Sequence, residues 1–315
     1  MTGPSPGSDT PRNDSQDRDE PPAWPQPLRF IPLAFAFMIL AVGTLAVALA
    51  VRDLRRAPFL LAPAGFVGGA AALALLSLLG FQEAGFRHIR LSRTVQTRED
   101  PDFGTGVRIP MSRTLAPLLI AALAGGAVYG ASAAAAWYLG VGEALLPSGR
   151  DTRGGAMVMA GCAIGSIAVI LLFTVTRFDT TVSIYRDGVE RYVRRRILFS
   201  TQVSRLFLPW NEISAIGVGD IGVRGNFEPG KHPAIDLYTE FVPDSVRTLH
   251  DTDHRITLMA HVLPVEPNTL LALLRKLHAE PEQRALITRP DAVELLRPPP
   301  LFERFRAARA QKTAR

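Results

Sequence analysis

Four long stretches of this chain, residues 30–51, 57–81, 114–142 and 154–176, contain no charged residue. About 20 helical residues cross the hydrocarbon of a bilayer, so each stretch is long enough to span one. This predicts four transmembrane helices, at about residues 30–51, 57–81, 114–139 and 155–176. It also limits their chemistry. Carboxylates, lysines and histidines inside a membrane mark proton relays and ion paths, and these stretches have none. That argues against an ion or proton path, but not against passage of apolar or lipid molecules.

An even number of spans puts both chain ends on one side, and the positive-inside rule selects that side. Arg29, six arginines of the second loop (Arg87, Arg90, Arg93, Arg98, Arg108 and Arg113) and a cluster after the last span (Arg177, Arg186, Arg191, Arg194–Arg196) fall with the termini. Arg52, Arg55, Arg56, Arg150 and Arg153 fall opposite. The bias predicts a multi-pass plasma-membrane protein with cytoplasmic termini. The first-turn arginines oppose it, and an inner re-entrant hairpin of the first two blocks is the alternative.

Small residues recur four apart in the spans, at Gly65 and Gly69, Gly126 and Gly130, Gly161 and Gly165. Such pairs let helix backbones approach closely. They suit a compact four-helix bundle or a homo-oligomer, although Ala/Gly-rich spans also generate them by chance. Trp137 and Tyr138 end the third span as interfacial anchors. Cys162 is the single cysteine, so no disulfide forms within the chain, and it reads as a small packing residue.

The net charge of +6 is uneven. Residues 177–296 are nearly neutral, which is unlike a nucleic-acid-binding face. The excess collects in the last 19 residues, where Glu303 stands against Arg297, Arg304, Arg306, Arg309, Lys312 and Arg315. Residues 1–28 hold seven prolines and few apolar groups, and are expected to be disordered. Lysine supplies only Lys231, Lys276 and Lys312 of the 35 basic residues, which points to a GC-rich, bacterial genome.

From about Thr180 the pattern changes to alternation. Val182, Ile184, Val189 and Tyr192 flank Arg186-Asp187-Gly188, where the Asp-Gly pair predicts a hairpin turn with positive φ. Leu206 to Ile213, Ala215 to Val218, Ala234 to Phe241 and Arg255 to Val262 are further strand candidates. Pro267 suits the first position of a helix, and Leu270, Leu273, Leu274 and Leu277 share one of its faces. The hairpin at 181–196, the Pro209-Trp210-Asn211-Glu212-Ile213 segment and the closing helix at 267–278 resemble the bacterial pleckstrin-homology-like domains often attached to membrane spans. The resemblance covers about residues 178–288. It implies a bent antiparallel sheet capped by the C-terminal helix. The Gly-rich stretch 217–230 departs from that pattern and is expected to form an extended loop. The fold class is thus a four-span α-helical membrane domain, residues 29–176, plus a mainly-β domain and a basic tail, residues 289–315.

Candidate chemistry is sparse. His250-Asp251-Thr252-Asp253-His254 has metal-ligand residue types, but it lies between strands and reads as a polar turn. Gly217, Gly219 and Gly222 lack the context of a phosphate loop, and no nucleophile elbow or cysteine–base pair is present. No catalytic, cofactor-binding or metal-binding residue is predicted. Arg194, Arg195 and Arg196 suit contact with anionic headgroups. Arg304, Arg306 and Arg309 suit the same contact if Leu301, Phe302, Phe305 and Ala308 form the apolar face of a short interfacial helix. The sequence therefore predicts a non-enzymatic membrane protein. Its cytoplasmic domain binds a protein partner or the inner leaflet, and its spans anchor it or self-associate. A transporter or channel-like component for an apolar or lipid substrate is the competing class. The expected partners are the lipid bilayer, a protein or a second copy, not nucleic acid.

Overall fold

The computed structural model describes residues 22–54, 61–113, 115–140, 145–146, 149, 151–197, 200–223 and 230–313. Its long helices are α1 (Phe30–Leu54), α2 (Leu61–Phe81), α3 (Leu115–Tyr138) and α4 (Arg153–Val175). All four are long and apolar enough to cross a membrane. At a rise of about 1.5 Å per residue, the 25 residues of α1 run about 37 Å, more than the roughly 30 Å of hydrocarbon. That length fits a full crossing better than a re-entrant hairpin. Of the first-turn arginines, Arg55 and Arg56 lie outside the described residues.

The main helix contacts run α1 on α2, α2 on α3 and α3 on α4. The spans therefore stand in a row, not in the closed bundle expected. Glycines set the spacing. A Cβ on Gly68 would lie 2.9 Å from the Gly125 carbonyl oxygen, and one on Gly80 would lie 2.9 Å from the Ala36 Cβ. Of the predicted pairs, Gly65 and Gly69 meet Leu145 and Tyr129, and Gly130 meets the Met159 carbonyl. Gly126, Gly161 and Gly165 meet nothing within 4 Å.

The second loop is more than a connection. After a π-helical turn at Gln82–Phe86 it forms a hairpin, β1 (Gln96–Asp100) and β2 (Gly104–Pro110). β2 pairs antiparallel with β3 (Thr176–Tyr185), setting Pro110 opposite Thr181 and Gly106 opposite Tyr185. β3 starts at the residue after α4 ends. β4 (Gly188–Ile197) and β5 (Ser200–Pro209) complete a five-stranded sheet in the order β1-β2-β3-β4-β5. A 3-10 turn, Trp210–Glu212, then leads to a three-stranded sheet of β6 (Ile213–Val223), β7 (Gly230–Thr239) and β8 (Arg255–Leu258).

Two glycine readings change. The loop joining β3 to β4 is Arg186–Asp187, and Gly188 already belongs to β4 and does not have positive φ. A Cβ there would run into the Leu208 carbonyl and lie 2.7 Å from the Phe207 ring. Close approach of β5 thus calls for the glycine, not turn geometry. Of the Gly-rich stretch expected to form a loop, residues 217–223 are strand, and 224–229 lie outside the described residues. A Cβ on Gly217 would lie 2.9 Å from the Tyr238 ring, and one on Gly219 would lie 2.6 Å from the Asp236 carboxylate. These glycines make room on β6 for β7 side chains.

α5 (Pro267–Ala279) closes the core. Glu266 caps it by accepting from the Thr269 N–H, and Pro267 opens it. Leu270, Leu271, Leu273, Leu274 and Leu277 are buried against both sheets, together with Trp210, Ile235 and Leu258. The ends of the chain join this body. Residues 22–28, read from sequence as part of a disordered tail, dock through Trp24, which is buried in the core cluster. Its indole N–H donates to Asp220 at 3.1 Å, and its backbone pairs with the Asn268 amide. The C-terminal segment forms α6 (Leu301–Thr313), whose Phe305 packs edge-on against Phe86 at the end of α2.

Candidate functional site

Strand alternation sorts the predicted arginines. Facing residues of paired strands project to the same side of the sheet, and neighbours along a strand project to opposite sides. Arg177 faces Arg196, and Asp179 faces Arg194, across the β3–β4 ladder. These four residues and Arg113, two positions before α3, line one cavity of about 280 Å³. Arg113 donates to Asp179 at 2.9 Å. Arg113 is exposed and Asp179 half-buried, so the pair behaves much as a surface ion pair and by itself contributes about 0–1 kcal/mol.

Four guanidinium groups and one carboxylate therefore line the same cavity. Like charges placed directly opposite each other across a ladder are destabilising, and Arg177 and Arg196 are such a pair. Its location is equally specific. At about 3.3 Å per residue, Arg177 lies within about 7 Å of the end of α4. That distance is comparable to the depth of a headgroup layer, about 5–8 Å.

The other predicted arginines are not brought to this cavity. Arg195 projects from the opposite sheet face, over the Phe178 ring at 5.2 Å. Arg304 is buried, donating to the Gln26 side chain at 2.7 Å and to the His88 carbonyl at 2.8 Å. It takes the place expected for Phe302, which is exposed, so the buried face of α6 is Leu301, Arg304, Phe305 and Ala308. Arg304 is a tether between α6, residues 22–29 and the end of α2, not a free headgroup ligand. Arg306 lies over the Phe302 ring, and Arg309 is exposed on α6. Arg113 and Arg177 were visible in the sequence only as span-flanking charges, and Asp179 was not singled out. The signal that finds them is alternation applied to the strand leaving α4.

The His/Asp cluster is part of the framework. Asp251 accepts from both Nη atoms of Arg191, at 2.7 and 2.6 Å, and from the N–H groups of Thr248 and Thr257. Burial would raise its pKa, but the Arg191 hydrogen bonds and charge, with the two N–H groups, hold it below the ordinary carboxylate value. Asp253 pairs with Arg247 at 2.6 Å. Among the described residues, no group of three or more His, Cys, Asp or Glu is placed to hold a metal.

A larger cavity of about 920 Å³ lies between α5, α6 and residues 22–26. Size alone would make it the default ligand site, but its central polar groups satisfy one another. The Glu266 carboxylate accepts from Gln26 at 2.6 Å and from Asn268 at 2.7 Å, and Gln26 accepts from Arg304. The arginine cavity has no such closure. Comparison of the chain with protein-family models, curated proteins and solved structures gives no match.

Proposed function

We propose that this is a non-enzymatic plasma-membrane protein whose pleckstrin-homology-like β domain is held against the anionic inner leaflet. One observation supports the proposal: β3 follows α4 without a linker, so Arg177, and Arg196 opposite it, lie within two residues of the apolar span, lining one cavity with Arg113, two positions before α3. The β domain is also fastened to the spans by the β1–β2 hairpin and by Arg304. A domain so tied reads the surface it stands on. The strand order followed by α5 supports the family resemblance, and the β1–β2 hairpin is an addition to it.

Anionic lipid attracts arginine by about 1 kcal/mol per residue near the surface. Amide hydrogen exchange of the full chain in nanodiscs tests the reading. Amides at 176–181 and 193–197 should exchange more slowly in phosphatidylglycerol-containing discs than in pure phosphatidylcholine. Equal exchange in both would instead favour a domain whose working surface addresses a protein.

A further inference from the structure

We infer that Arg113, Arg177, Arg194 and Arg196 form a discrete binding site for one phosphate group, with Asp179 occupying it in the absence of ligand. The inference rests on the leaflet reading and sharpens it from general adhesion to a stoichiometric site.

The cavity fits this ligand in three respects. Four guanidiniums stand against one carboxylate, and a phosphate oxyanion offsets part of that positive excess. Its donors are guanidiniums, whose planar forks match phosphate oxygens in pairs. Its volume of about 280 Å³ lies below the usual range for organic ligands, about 300–1,000 Å³, but admits a single headgroup phosphate. The site is at the open end of the β3–β4 hairpin, beside the membrane. The Arg186–Asp187 turn at the other end lies up to about 30 Å farther along the strands, so the basic groups that matter are not those of the hairpin loop. Asp179 gives the site a resting state. Its bond to Arg113 must yield before all four arginines turn to a ligand, so ligand and Asp179 compete.

Native mass spectrometry of the detergent-purified full chain, with phosphatidylglycerol or phosphatidylcholine added, reads this directly. The wild type should retain one phosphatidylglycerol per chain in preference to phosphatidylcholine. The Arg177→Gln/Arg194→Gln variant should lose that retention by tenfold or more, while Arg195→Gln and Arg306→Gln/Arg309→Gln keep it. Asp179→Asn should strengthen it several-fold, a gain that mere damage does not produce. The substituted arginines are exposed, and an unchanged thermal midpoint verifies the fold. Millimolar inorganic phosphate separates the sources. If it displaces the lipid, the site takes free phosphate as well; if it does not, the site is specific for the headgroup. Both outcomes support the inference. Equal retention by the wild type and Arg177→Gln/Arg194→Gln would overturn it. If the nanodisc protection nevertheless held, leaflet adhesion would stand without a discrete site, so the two readings fail separately.

Discussion

Arg191 sits between Val189 and Val193 on the core-facing side of β4, where alternation expects an apolar side chain. It is accommodated because Asp251 receives both of its Nη atoms and the Val246 carbonyl takes a third bond. The side chains of the pair are 4% and 0% exposed, so neither charge has water to fall back on. Removing one partner strands the other, and Asp251→Ala should cost about 3–5 kcal/mol, measured by chemical unfolding of the full chain in detergent. The pair also sets an acid limit. A depressed carboxylate pKa stabilises the fold above the unfolded value of about 3.9, and that contribution is lost as pH falls through the folded value. His88 acts at higher pH. Burial, then the charges of Arg87 and Arg304, hold it at about 3. Unfolding lets it take up a proton near pH 6.5, so stability should fall from about pH 6.5 downward. His261, held at about 4 mainly by burial and then by His232, titrates in the same window. His88→Gln should therefore remove about half of the decline in thermal midpoint between pH 6.5 and 4.5. An unchanged slope would show that His88 is protonated in the fold.

Among the elements, the spans and α5 were legible because each pattern is self-contained. Absence of charge marks a membrane helix whatever its neighbours, and four leucines on one face mark a helix against a core. The β1–β2 hairpin was not legible. Its buried residues in β2 are few, chiefly Val107 and Ile109, set among arginines, and its partner β3 lies more than sixty residues on. Residues 22–29 were hidden by composition, since prolines and acids dominate the sequence around them. Trp24 was the available clue, because a large aromatic in such a segment invites a place to bury it. Trp24→Ala should cost about 3 kcal/mol and release the chain N-terminal to α1, read as new protease cleavage near residue 24. The spans allow a paired test of the glycines. Gly125 lies against the Gly68 backbone, whereas Gly161 faces open space. Gly125→Val should lower the thermal midpoint, and Gly161→Val should leave it nearly unchanged in the monomer. A matching loss for Gly161→Val would mean that α4 packs on another surface.

At the scale of the whole molecule, three separated segments converge on one body: residues 22–29 before α1, the hairpin between α2 and α3, and the described strands and helices after α4. A path that crosses four times requires these segments to share a side, and their contacts satisfy that requirement independently of the charge rule. On the proposed reading the charge rule predicts that the shared side is cytoplasmic, where Arg113, Arg177, Arg194 and Arg196 would meet anionic lipid. Cysteine labelling separates the two steps. In a Cys162→Ala background, Asp102→Cys and Glu282→Cys report the hairpin and the β domain, and Asp151→Cys reports the turn before α4; all three positions are exposed. An impermeant maleimide should label Asp151→Cys in intact cells, and the other two only after permeabilisation. The reverse pattern would keep the four crossings but place the arginine cavity on the outer face, removing the inner leaflet as its ligand source. Labelling of all three from one side would break the crossing path itself, since the hairpin and the turn before α4 are separated by α3 alone.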